Sequence, residues 1–125
     1  APESFDPYYR SGNWTRIGNT VFLAGRLRIT AIAVAPTGNL SIGNLPITSK
    51  TTGRNVAGAL HFGAWTGITV TGARSMLAAS ISDAVVFANL FESGSNIAVN
   101  VTQGGALVLV GGIADLRFAG NYLVA

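Results

Sequence analysis

The sequence has no cysteine, one histidine (His61) and one lysine (Lys50) among its 125 residues. Without thiols it has neither a disulfide framework nor a thiolate metal site. Charged residues make up 10% of the chain, against roughly 25% in an ordinary soluble domain. So few charges leave a free-standing monomer poorly covered and poorly kept from its copies, and part of the surface is expected to be a subunit interface. Long apolar runs are missing too. Apolar residues reach 49% and mean hydropathy is +0.44, yet no run approaches the ~18 residues of a spanning helix, and Gly58, Gly63, Gly67 and Gly72 keep interrupting the apolar stretches. An eight-stranded outer-membrane barrel fits the length, but 9% aromatics without girdle spacing does not fit its belts. No membrane insertion is expected.

The net charge is +3 and the pI about 10.0, but the excess is thin. The arginines stand at 10, 16, 26, 28, 54, 74 and 117, too openly spaced for the dense basic stripe of a nucleic-acid binder. No nucleic-acid partner is expected. The length fits one domain. Ala1 in place of methionine, with no signal peptide, reads as a fragment or processed product. Residues 1–13, with Pro2, Pro7, Ser11 and Gly12, read as a linker from a preceding region, and 14–125 as one β domain.

What is present is period-two alternation. Leu27 and Ile29 alternate with Arg26, Arg28 and Thr30; Leu40 and Ile42 with Asn39, Ser41 and Gly43; Ile68 and Val70 with Thr69 and Thr71. The pattern recurs at Ile97, Val99 and Val101, and at Leu116 and Phe118. Gly18-Asn19, Pro36-Thr37-Gly38, Leu45-Pro46, Ser93-Gly94-Ser95 and Gly111-Gly112 mark turns. The alanine-rich segment 75–89 also alternates and reads as strand. Short strands with glycine-rich turns and no helical crossovers predict an all-β, antiparallel β-sandwich or jelly roll. Val85-Val86-Phe87 and Leu107-Val108-Leu109-Val110 are apolar on both faces. With no helix to cover an outer apolar face, another copy of the chain is the expected cover, which nominates Val86, Val108 and Val110 as interface residues.

Catalytic chemistry is sparse. Metal binding needs clustered ligands, and His61, Asp83, Glu92 and Asp115 fall in separate segments; no cofactor or metal is implied. Asp83 and Asp115 are the acids that could serve as a glycosidase pair, which needs carboxyl groups roughly 5–9 Å apart, but nothing in the spacing joins them. Ser49-Lys50 resembles a Ser–Lys dyad, although neighbours on a strand point to opposite faces. No Gly-x-Ser-x-Gly elbow exists. The expectation is a protein that is not an enzyme. Asn13-Trp14-Thr15, Asn39-Leu40-Ser41 and Asn100-Val101-Thr102 match the short glycosylation tripeptide.

Phe22, Phe62, Phe87 and Phe118 read as core. Trp65, within Gly63-Ala64-Trp65-Thr66-Gly67, reads as a glycine-flanked bend. It is either a flat ring for stacking on a sugar or a plug packed in the core or an interface. If it meets a glycan, Arg54 in the polar loop before it and His61, opposite Leu60 and Phe62, are the neighbouring polar candidates. Trp14 and Tyr122 read as closing the two ends.

The run Asn13-Trp14-Thr15-Arg16-Ile17-Gly18-Asn19-Thr20-Val21, followed by Gly25-Arg26-Leu27, resembles a pattern of phage tail fibres and tailspikes. Gly38-Asn39-Leu40-Ser41-Ile42-Gly43-Asn44-Leu45-Pro46 is similar to that family's Gly-x-Leu-x-Ile-x-x-Leu-Pro segment, and Phe118-Ala119-Gly120-Asn121-Tyr122 to its closing Phe-x-Gly-x-Tyr. The three motifs keep the family's order, while 56–112 matches only in texture. The resemblance implies a homotrimeric, non-catalytic C-terminal β-sandwich on a virion tail, concerned with trimerisation and with contact to bacterial surface polysaccharide or lipopolysaccharide. It transfers no binding residue. The alternative reading is a carbohydrate-binding module of a secreted bacterial enzyme.

Overall fold

Ile17 and Thr20 face each other across Gly18-Asn19, a two-residue turn in which Gly18 takes φ 59°, a value that costs glycine nothing. That turn joins the two longest strands. The computed structural model describes residues 3–33, 37–70, 72, 74–95 and 97–125. Its strands are β1 (Glu3–Ile17), β2 (Thr20–Ile32), β3 (Ser41–Ile42), β4 (Gly58–Thr66), β5 (Met76–Ile81), β6 (Ala88–Gly94), β7 (Ile97–Val101) and β8 (Ala114–Leu123). One 3-10 turn, Gly104–Ala106, is the helical element among the described residues.

All strand pairs are antiparallel, in the order β1-β2-β8-β4-β5-β6-β3, and β7 shares the outer edge of β6 with β3. The sheet curls so that its two sides face each other across an apolar interior. Leu40, Ile42 and Leu90 on the β3–β6 side line the same apolar interior as Leu27, Ile29 and Leu116 on the β2–β8 side. The expected all-β antiparallel architecture is therefore present, as one sheet curled into a half-barrel.

Register explains the core. Val21, Tyr122, Gly58 and Ile81 form one inward row across β2, β8, β4 and β5, and Leu60 and Ala79 pair in the next. Phe62 meets Phe118 edge-on, with ring centroids 6.1 Å apart and planes at 60°. Each such side chain contributes about 1.5–3 kcal/mol on full burial. Glycine sets the closest approach: a Cβ on Gly120 would run into the Ala59 carbonyl oxygen of β4, and one on Gly25 would meet the Phe118 ring at 2.7 Å.

Residues 3–5 and 10–17 pair with β2 at the sheet's edge. Several expectations fail here, each for a tertiary reason. Segment 75–89 is β5 and the start of β6 around a turn at Asp83-Ala84, where Ala84 has φ 54°. Val85-Val86-Phe87 belongs to that connection, and Leu107–Val110 makes only isolated bridges to Ile68 and Ile113; neither run is a two-faced strand. Phe22 and Phe87 are 45% and 38% exposed, because Phe22 takes the outward parity of β2 and Phe87 lies in the connection. Val99, expected inward, is also exposed.

Candidate functional site

In β8 alternation sends Leu116, Phe118 and Tyr122 inward, so Asp115, Arg117, Ala119 and Asn121 project from the other face. Cross-strand partners share a face, which extends this outward line into a platform on four strands. Its rows are Arg28–Asp115–Thr66, Arg26–Arg117–Ala64, Asn13–Ala24–Ala119–His61 and Thr15–Phe22–Asn121–Ala59. Small side chains at 24, 59, 64 and 119 keep the middle flat. From Arg117 to Asn121 the platform runs ~13 Å along one strand.

One end is cationic. Arg26 straddles Asp115 in a bidentate fork, Nε to Oδ1 at 3.1 Å and Nη2 to Oδ2 at 2.7 Å. Arg28 Nη2 donates to Oδ2 at 3.3 Å, and Arg117 Nη2 lies 3.7 Å from the same oxygen. The Arg26 hydrogen bond, opposed by desolvation and helped by Arg28, holds the Asp115 carboxyl below its ordinary 3.8. Three guanidinium groups thus share this carboxylate. The Arg117 side chain is 56% exposed, against 10% for Asp115.

The other end is a shallow groove of about 410 Å³ bordered by Asn13, Thr15, Phe22, His61 and Asn121, with Ala119 and Gly120 as its floor. Its wall offers the exposed Phe22 ring, two amides, a hydroxyl and an imidazole, and Trp14 also lines it. Chemically that set can stack on an apolar ring face and exchange hydrogen bonds with hydroxyl groups.

The residues expected at a sugar site do not converge. Phe62 pairs with Phe118 and Ala64 with Arg117, so a bulge at Gly63 adds one residue and turns Trp65 to the inner face opposite Leu116. Trp65 is a half-buried strand residue packed against the core rather than a residue on a bend. His61 is exposed on the opposite face, beside Ala119 and Ala78. Arg54 sits in a separate loop, 52–56, folded around Asp83. The Asp83 carboxylate accepts from Thr52 Oγ1 at 2.7 Å and from the backbone N–H of Thr52, Gly53 and Asn55. Thr52 is the first cause that lowers the Asp83 pKa below 3.8.

Asp83 and Asp115 lie at opposite ends of the sheet, the first beyond the Gly58–Ile81 pair and the second opposite Thr66. That is roughly 25 Å of strand, too far for a glycosidase pair. Ser49 is a buried cross-link: its Oγ donates to the Ser82 carbonyl at 2.6 Å and accepts the Val85 N–H. Lys50 is exposed. Among the described residues no three His, Asp or Glu side chains gather as a metal site. Val86, Val108 and Val110 are exposed, at 43%, 49% and 58%. Val86 lies by the start of β6, whereas Val108 bonds to Gly67 at the far end of β4. They form two patches rather than one.

Sequence reasoning missed Phe22, Asn121, Arg26 and Arg117 as a surface set. The alternation of charge with leucine at 26–28 and 115–117 carried the signal for an outward face, but the adjacency of β2 and β8 did not show in it.

The fold and its face define a class, a curled antiparallel module with one uncovered, polar, aromatic-edged platform. The solved structure of the Dettilon tailspike protein (gp208) contains this fold, with a TM-score of 0.72 over 96% of this chain and 14% identity. The chain spans 20% of the length of that tailspike chain. No protein-family model matches the chain, and no curated protein matches it.

Proposed function

We propose that this chain is a terminal module of a phage tail fibre or tailspike. In this reading it is non-catalytic, homotrimeric and sandwich-like in its assembled form, and it contacts the host's surface glycan from the virion tail. The observation that carries the reading is the fold shared with a tailspike chain over 96% of the present sequence. Two others support it. Each of the three sequence motifs helps to specify the fold. Gly18-Asn19 turns the first hairpin, Leu45 anchors the β3–β4 connection with a buried side chain, and Gly120 and Tyr122 fix β8. Low charge and exposed valines fit a surface covered by further copies.

Light scattering at micromolar concentration tests the assembly, with three times the chain mass expected. Val108→Asp and Val110→Asp should each dissociate the trimer, since every copy would bury an unpaired carboxylate costing several kcal/mol. A wild-type monomer removes the tail-module reading. A monomer that still binds polysaccharide favours the carbohydrate-binding module, a reading the exposed platform also suits.

A further inference from the structure

We infer that the platform on β1, β2, β8 and β4 selects acidic glycans, seating a carboxylate or phosphate of the sugar chain on Arg117 while a neighbouring ring lies in the Phe22–His61–Asn121 groove. The inference rests on the glycan-contact reading above and adds the ligand's chemical class and its subsites.

The geometry divides the work between the arginines. Arg26 holds both oxygens of Asp115 in a fork, and Arg28 reaches the same Oδ2. These contacts place the two guanidinium groups close against the sheet. Arg117 stands behind them at 3.7 Å from that oxygen, beyond hydrogen-bonding distance, with more than half its side chain in solvent. A planar fork of N–H donors in that position matches the two oxygens of a carboxylate or phosphate. Asp115 beneath it holds Arg26 and Arg28 by hydrogen bonds and draws Arg117 through charge alone.

One strand pitch further on, Ala119 and Ala24 leave room for a ring to lie flat. Next comes the exposed Phe22 face, with Asn121 and Thr15 in the same row and His61 and Asn13 flanking it. The spacing of ~13 Å from Arg117 to Asn121 is longer than one sugar ring, so the platform addresses a chain rather than a monosaccharide. Short side chains between the two subsites admit such a chain without moving the backbone.

The test is retention of the intact protein on immobilised polysaccharides at 50 and 300 mM salt. The acidic set is polygalacturonate, alginate and hyaluronate, bearing carboxylates, and a phosphorylated mannan; dextran and unmodified mannan are neutral controls. Wild-type protein should be held by at least one acidic glycan and not by the neutral ones. The carboxylate and phosphate arms tell the two anions apart. Arg117→Gln should weaken retention at least tenfold, Arg117→Lys less, since charge survives and the fork does not. Phe22→Ser should weaken it with the cluster untouched. Arg54→Gln, which removes an equal charge from a distant loop, should leave it unchanged.

Equal losses in Arg54→Gln and Arg117→Gln would mean attraction to net charge alone and overturn the inference. So would retention by neutral glycans that ignores Arg117, although the glycan-contact reading would then survive. If Arg117→Gln dissolves the trimer, Arg117 is an intersubunit contact and the inference falls. If wild-type trimers hold no glycan, both glycan statements fall and the assembly reading stands.

Discussion

Tyr122 fills the core and ties down a loop with one side chain. Its ring is fully buried in the row with Val21 and Ile81, and its hydroxyl donates to the Ile47 carbonyl at 2.9 Å and accepts the Ile47 N–H at 3.3 Å. Burial pushes the phenol pKa up, so the hydroxyl stays protonated and remains a donor. Tyr122→Phe keeps the ring and abandons both backbone groups, which predicts a loss of about 1–2 kcal/mol in urea unfolding. Asp115 makes the opposite electrostatic case. Its pKa is depressed in the folded state, chiefly by the Arg26 hydrogen bond. Such a group contributes stability that is complete above its unfolded value, near 3.8, and is lost as pH falls through the folded one. The wild type should therefore hold its stability down to about pH 4 and lose it below. Asp115→Asn should cost about 1–3 kcal/mol at neutral pH and flatten the acid limb of a stability-versus-pH curve. An unchanged acid limb would show that the ion pair does not couple to folding.

Among the elements, β8 is held on both sides, by β2 and by β4. Gly120 lies where β4 leaves no space for a side chain. Gly120→Ala must push the Ala59 carbonyl aside and break the β4–β8 ladder, at a cost above the ~1–3 kcal/mol of ordinary overpacking. Far-UV circular dichroism and melting of the variant check this; near-wild-type melting would mean the strands separate without penalty. Element identity was readable in advance because alternation is a local property: Leu27, Ile29, Leu116 and Phe118 face the core or pack against it, as their spacing indicates. Bulges and connections are not local. One extra residue at Gly63 reversed the face of Trp65, and a turn at Asp83-Ala84 moved Val86 and Phe87 out of any strand. The bulge separates Trp65, on the inner face, from His61, on the outer one, and Arg54 lies in a loop of its own; the platform could not be assembled without knowing that β2 and β8 are adjacent.

At the scale of the molecule, the sheet leaves one face of β1, β2, β8 and β4 uncovered and two valine patches at its ends, and the proposed trimer and glycan contacts divide these surfaces between them. The strand order carries a further consequence for how the chain reaches this state. Phe22 pairs with Asn121, about a hundred residues later in the chain, and β8 separates β2 from β4. During synthesis the β1–β2 hairpin therefore emerges early with its inner edge open, and waits for β8 before it has a neighbour. Folding is expected to be slow and all-or-none, with refolding in milliseconds to seconds rather than microseconds. Until β8 arrives, the unpaired edge of β2 is open to the same edge on another nascent copy. Removing residues 114–125 should leave a chain that shows no cooperative melt and aggregates, which static light scattering during refolding would record.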